Sequence, residues 1–117
     1  MCSDRTIDDI FAGKPDNLLL AFDALLNAVM PWEPQTVGAA VHAIVFTNRN
    51  AWLVVKPMAK VLDLKFYYDR PLQSPYLHKV GPMYGKKYSH HIRIADEEEL
   101  TDEIVDLLRQ GFDFGLR

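Results

Sequence analysis

Residues 61–68 read Val-Leu-Asp-Leu-Lys-Phe-Tyr-Tyr, with apolar and polar positions alternating. Leu62, Leu64, Phe66 and Tyr68 fall on one side, and Asp63, Lys65 and Tyr67 on the other. A period of two marks a half-buried strand, because successive side chains leave a pleated backbone on opposite faces. Such a strand needs partners along both edges and an apolar layer over one face. The rest of the chain has to supply both.

Partners are available on either side. Residues 40–47 carry Val41, Ile44, Val45 and Phe46, and residues 51–56 carry Trp52, Leu53, Val54 and Val55. Asn48-Arg49-Asn50 between them is a turn cluster, so the two segments read as a β-hairpin. Residues 57–60 form the next turn. Residues 88–94 return to strand, with His90, Ile92 and Ile94 on one face and His91 and Arg93 on the other. Residues 69–87 contain Pro71, Pro75, Gly81, Pro82 and Gly85 and show no period. Loops of that length tend to be functional or to conceal a short element.

The apolar layer comes from the ends of the chain. From Pro15, which suits a first helical turn, Leu18, Leu19, Phe22, Leu25, Leu26 and Val29 recur at spacings of three and four. Asp16, Asp23 and Asn27 take the other face. Pro31 stops this helix by pushing Met30 out of the helical region. A shorter helix precedes it, with Thr6 as cap, Asp8 and Asp9 in its first turn and Gly13 as its stop. A further helix starts at Asp96, with Glu99 as capping-box partner. It buries Leu100, Ile104, Leu107, Leu108 and Gly111, is anchored by Phe112 and Phe114, and ends at Gly115. The expected fold is α+β and two-layered: helix, four-stranded antiparallel sheet, helix, with both helices on one face of the sheet. Residues 1–117 then form a single compact domain, a length close to the usual size.

Composition excludes several classes. Hydrophobic residues make up 49% and charged residues 25% of the chain, values that rule out collagen-like and disordered chains. The one cysteine, Cys2, can make no intrachain disulfide and no C-x-x-C site. The longest near-apolar run, residues 37–46, is about half of a membrane span. The first residues lack the apolar core of a signal peptide. A soluble cytoplasmic protein is the expectation.

The net charge of −3 conceals an uneven distribution. Residues 1–40 carry −4, residues 41–95 carry +7 and residues 96–117 carry −6. All four histidines, His42, His78, His90 and His91, lie in the basic middle segment. This pattern reads either as basic strands neutralised by acidic helices or as a basic surface for an anionic ligand.

Three stretches carry a resemblance. Ile7-Asp8-Asp9-Ile10-Phe11-Ala12-Gly13-Lys14-Pro15, Ser74-Pro75-Tyr76-Leu77-His78-Lys79-Val80, and Tyr88-Ser89-His90-His91-Ile92-Arg93-Ile94 with the Glu-Glu-Leu-Thr-Asp-Glu segment after it resemble a bacterial domain-of-unknown-function family, the one numbered 5655. The likeness runs from Ile7 to about Phe114. It implies a compact α+β domain and no particular activity. Some members carry the label "predicted transport protein", for which no stretch of this chain supplies a membrane span.

The candidate ligand-binding residues are Arg70, Tyr76, His78, Lys79, Tyr84, Lys86, Lys87, Tyr88 and His90. Basic groups interleaved with tyrosines can hold phosphates and stack on bases. Adjacent His90 and His91 point to opposite faces of a strand, so they do not converge on one ion, and no H-x-x-x-H spacing exists. No metal and no cofactor is expected. Gly13-Lys14-Pro15 lacks the glycine spacing of a phosphate loop, and Asp96 to Glu99 lacks that of a calcium loop. Trp32 and Trp52 read as packing residues.

The leading reading is a non-enzymatic binding or protein-interaction module, possible as a homodimer. It would work through the long loop and a polar sheet face bearing Lys65, Tyr67, His91 and Arg93. The alternatives are a binder of nucleic acid, a nucleotide or another small anionic ligand, and a small enzyme with His90 or His78 as acid–base. The low pI of 5.7 weighs against nucleic acid.

Overall fold

A computed structural model of the chain describes residues 7–116, and for Tyr84 its backbone alone. Cys2 and the expected cap Thr6 lie outside the described residues. Three helices, α1 (Ile7–Phe11), α2 (Asp16–Val29) and α3 (Asp102–Gly115), accompany six strands. The strands are β1 (Thr36–Ala39), β2 (Ile44–Thr47), β3 (Ala51–Pro57), β4 (Leu62–Tyr68), β5 (Lys79–Tyr84) and β6 (Lys87–Ile94). They form one antiparallel sheet in the order β1-β2-β3-β4-β6-β5.

The sheet therefore has six strands where four were expected, while α1 lies where the short helix ahead of Gly13 was expected. The two added strands are the edges. β1 pairs with β2 through residues 36–39, a short segment containing Gly38 with no sequence period to betray it. The single strand expected over residues 40–47 is thus the second arm of a hairpin, and it begins only at Ile44. β5 lies inside the stretch expected to be loop. Its Gly81-Pro82 sits where the register with β6 shifts, between Val80 and Met83. An edge position and a bulge are where a strand tolerates proline. The β5–β6 connection is the two-residue turn Gly85-Lys86, with Gly85 at φ +65°. That is the glycine-first arrangement of a tight hairpin turn.

Two helix boundaries also depart from expectation. Met30 stays helical (φ −61°, ψ −29°) and donates its N–H to Leu26 O; the ladder stops at Pro31 because proline has no N–H. The helix expected from Asp96 is broken. Asp96 caps only a 3₁₀ turn, Glu97–Glu99, with its Oδ1 accepting from Glu99 N at 3.1 Å, while Glu99 Oε1 accepts from Ala95 N at 2.7 Å. Thr101 is extended, and its side chain caps α3 afresh by accepting from Ile104 N. A second capping residue five positions after the first splits the segment.

Cross-strand register collects the core. Phe46, Leu53, Phe66 and His90 form one row, and Ile44, Val55, Leu64 and Ile92 the next. All eight are buried. α2 reaches this face through Phe22, whose ring lies 6.3 Å from that of Phe46. α3 reaches it through Phe112, 5.2 Å from Trp52, and through Gly111, which sits directly on Phe66. Trp32 closes the cluster against Trp52 and Phe112.

The Asn48-Arg49-Asn50 turn does more than reverse the chain. Asn48 Nδ2 donates to Phe112 O at 2.9 Å, Asn50 Nδ2 to Gly115 O at 2.8 Å and Arg49 to Leu116 O at 3.2 Å. These carbonyls are the ones a helix C-terminus leaves without partners. The β2–β3 turn thus ties the end of α3 to the sheet.

Candidate functional site

With the helices on one side, the other face of the sheet is open. The register puts Lys56, Asp63 and Arg93 in one row and Val54, Lys65, His91 and Lys79 in the next. Tyr67 and Ser89 follow, and Lys87, two residues before Ser89 on β6, ends the series. No helix among the described residues packs on this face.

Its electrostatics are one-sided. Five cations, Lys56, Lys65, Lys79, Lys87 and Arg93, share the strands of this face with one carboxylate, Asp63; Asp69, one residue past the end of β4, is paired with Arg70 at 3.1 Å. The Asp63 carboxylate is already engaged. Asp63 is nearly buried at 9% exposure. Its Oδ2 lies 3.0 Å from His91 Nδ1 and its Oδ1 accepts from Arg93 Nε at 3.3 Å. The carboxylate's two contacts orient His91 and Arg93, and the lysines of the face have no ion-pair partner among the described residues. Lys87 Nζ sits 4.1 Å above the Tyr67 ring, and Lys65 Nζ is 5.7 Å from the same ring. The π face holds a cation there electrostatically. Successive rows along a strand pair are about 7 Å apart and neighbouring strands about 5 Å. The cations are therefore spread over an extended surface and do not converge on one point.

The expected ligand residues are distributed by this geometry. Lys79 and Lys87 are on the open face, and Lys86 is in the β5–β6 turn beside it. The other residues scatter. Arg70 is exposed and pairs with Asp69 at 3.1 Å, an ion pair and hydrogen bond that hold its pKa above the ordinary value. Its guanidinium also covers Tyr68. Tyr76 donates to Glu103 on α3 at 3.3 Å, on the helix side of the sheet. His78 is exposed, and its backbone N–H extends the ladder to His91 O at 2.7 Å. Tyr84 is on β5, its side chain outside what is described. Tyr88 is half-buried on the core face beside Tyr68.

His90 is sealed in the core with no exposed surface. Its Nε2 accepts from Leu72 N at 3.0 Å, its Nδ1 lies 3.0 Å from Tyr88 O, and its ring stacks on Phe66 with centroids 5.1 Å apart. With one nitrogen accepting and the other donating, the ring is neutral. Burial pushes its pKa down, against the opposing pull of the Tyr88 and Arg70 backbone carbonyls. The imidazole that looked most chemical in the sequence pins the 69–78 connection to the sheet from beneath.

The residues that sequence reasoning passed over are Lys56 and Asp63. The alternation placed Asp63 on the polar side of β4. That Arg93 and His91 flank it depends on the β4–β6 register, which skips β5 and leaves no local trace. No group of three His, Cys, Asp or Glu among the described residues is arranged to hold a metal ion. No helix among them is long and apolar enough to cross a membrane.

The family model described as "Domain of unknown function (DUF5655)" matches residues 7–115, all three helices and all six strands. The chain belongs to the DUF5655 family. No curated protein and no solved structure matches it. The DUF5655 match takes in the whole sheet and therefore the whole open face.

Proposed function

We propose that this DUF5655 domain is a binding module that takes an anionic polymer, of the phosphate-backbone kind, on the open face of its sheet. The observation that carries the reading is the set of five cations in successive cross-strand rows against a single carboxylate that is tied to His91 and Arg93. Repulsion among these lysines, two exposed and two half-buried, is weak where water screens it, under about 1 kcal/mol per pair at these spacings. A polymer with regular negative charge gains from each cation it meets and releases counterions as it does so. The net charge of −3 is no obstacle, because the acidic groups are gathered in residues 1–40 and 96–117, the segments that hold all three helices.

The geometry favours binding over catalysis through the expected histidines. His90 has both ring nitrogens engaged and no solvent contact. Neither His90 nor His78 lines the cleft of about 400 Å³ that Ala51, Tyr67 and Lys87 border at one end of the open face.

The test is amide chemical-shift mapping with inorganic polyphosphate. Perturbations should fall on Lys56, Lys65, Lys79, Lys87 and Arg93 and spare the exposed side of α2. Perturbations centred on the helices, or none at low salt, reject the reading.

A further inference from the structure

At one end of the open face the sheet edge turns into a cleft of about 400 Å³. Its walls come from three places: Asn50 and Ala51 at the start of β3, Tyr67 with Lys86 and Lys87 at the β4 and β6 ends, and Phe114 on the last turn of α3. The volume lies in the range of small-molecule sites, roughly 300–1,000 Å³. Tyr67 and Lys87 belong to the cleft and to the open face at once, so the two surfaces are continuous.

The lining has two chemical halves. Tyr67 and the half-buried Phe114, whose ring also packs against Tyr68 with centroids 5.9 Å apart, are the aromatic residues at the rim, and Ala51 contributes only a methyl group. Lys86 and Lys87 stand at one side without an ion-pair partner among the described residues. Lys87 is held in place over Tyr67 at 4.1 Å. Asp69 also lines the cleft, and the Arg70 guanidinium 3.1 Å away offsets its charge. The negative end of α3, which would repel an anion here, is occupied by the Asn48 and Asn50 amides. What fits such a site is a flat aromatic ring joined to an anionic group.

We infer that the cleft binds a nucleotide unit, with the base against Phe114 and Ala51 and the phosphate at Lys86 and Lys87. This deepens the open-face reading, and rests on it only where the nucleotide is one residue of a bound strand. The ligand is then either a free nucleotide or one base of a single strand that runs on across the open face.

The experiment uses the full chain and three probes: adenosine 5′-monophosphate, ribose 5-phosphate, and a single strand of about ten nucleotides, within the usual site sizes. Affinities come from amide-shift titration. Adenosine 5′-monophosphate should move Ala51, Lys86, Lys87 and Phe114 and bind about tenfold or more tighter than ribose 5-phosphate, the margin one base–aromatic contact supplies. Ala51→Phe fills the cleft and should weaken it by a similar factor. Lys86→Glu, in an exposed turn, should do the same and stands as the test if Ala51→Phe does not fold. Equal affinity for the two small probes, no binding of the nucleotide, or full binding by folded variants overturns the inference. A strand weakened by Ala51→Phe identifies the base as part of a polymer; a strand left unaffected, with the mononucleotide weakened, identifies a free nucleotide. Inorganic polyphosphate separates the two claims. If it binds and the nucleotide does not, the cleft inference alone falls. If the nucleotide binds and polyphosphate does not, the open-face reading alone falls.

Discussion

Replacing Gly111 by alanine sets two effects of opposite sign against each other. Gly111 lies inside α3, where alanine is intrinsically the better residue by about 1 kcal/mol. A Cβ there would stand 2.7 Å from Phe66 Cδ2 and 3.1 Å from Phe66 Cβ. Phe66 is fully buried and stacked on His90, so its ring has no free space to enter. Forcing a methyl group into a packed core costs about 1–3 kcal/mol. The difference is a net loss of about 1 kcal/mol, which lowers Tm by roughly 4–8 °C in a domain near this size. Urea denaturation of both proteins measures it, with the slope m unchanged if only packing has altered. A Gly111→Ala protein more stable than the parent would refute the direct seating of α3 on Phe66, because helix propensity alone would then be acting.

Other consequences follow from named contacts. His90 has its folded pKa pushed below the unfolded value of about 6.5. The unfolded chain therefore takes up a proton that the folded chain resists, and this contribution is present above about pH 6.5 and lost as pH falls below it. The slope is at most about 1.4 kcal/mol per pH unit. Stability curves at pH 5 to 7 (approximate bounds) should be flatter for His90→Gln than for the parent, and parallel curves would contradict the buried neutral ring. Asn48→Ala removes the donor to Phe112 O and should cost about 1–2 kcal/mol by leaving that carbonyl unpaired; a change within about 0.3 kcal/mol, far below that range, would show the tie to α3 to be idle. Asp63→Asn leaves five cations and no carboxylate on the open face. It should tighten polyphosphate binding at low salt while lowering stability, and weaker binding in a folded variant would show that Asp63 holds His91 or Arg93 in a binding pose.

Legibility followed the reach of the interactions. The alternation of β4 placed Lys65 and Tyr67 on one side with no help from the rest of the chain, and β6 placed His91 and Arg93 likewise. The apolar stripes of α2 and α3 announced themselves because helical burial repeats every three or four residues. β1 and β5 were not legible for a physical reason. Edge strands bury little, so Thr36–Ala39 carries no pattern, and the Gly81-Pro82 bulge removes the period from β5. The break at Thr101 was hidden because two valid caps stand close together and both are used, Asp96 for the 3₁₀ turn and Thr101 for α3. The candidate site suffered most from distance along the chain. Arg70, Tyr76 and Lys87 look like neighbours in a basic, tyrosine-rich stretch, but the 69–78 connection crosses to the helix side, where His90 holds Leu72 and Tyr76 reaches Glu103. Lys56, far from that stretch, joins Lys65 and Lys79 through sheet register alone.

The most direct measurement of the central claim is the salt dependence of polyphosphate affinity for the parent chain and for Lys65→Gln/Lys79→Gln. These two lysines flank His91 in one cross-strand row. Each cation that meets a phosphate contributes roughly one unit to the slope of log affinity against log salt. The open-face account predicts weaker binding and a slope reduced by about 1–2 in the double variant, with a control at Arg109 on α3 unchanged. An unaltered slope, or an equal loss from Arg109→Gln, would contradict it.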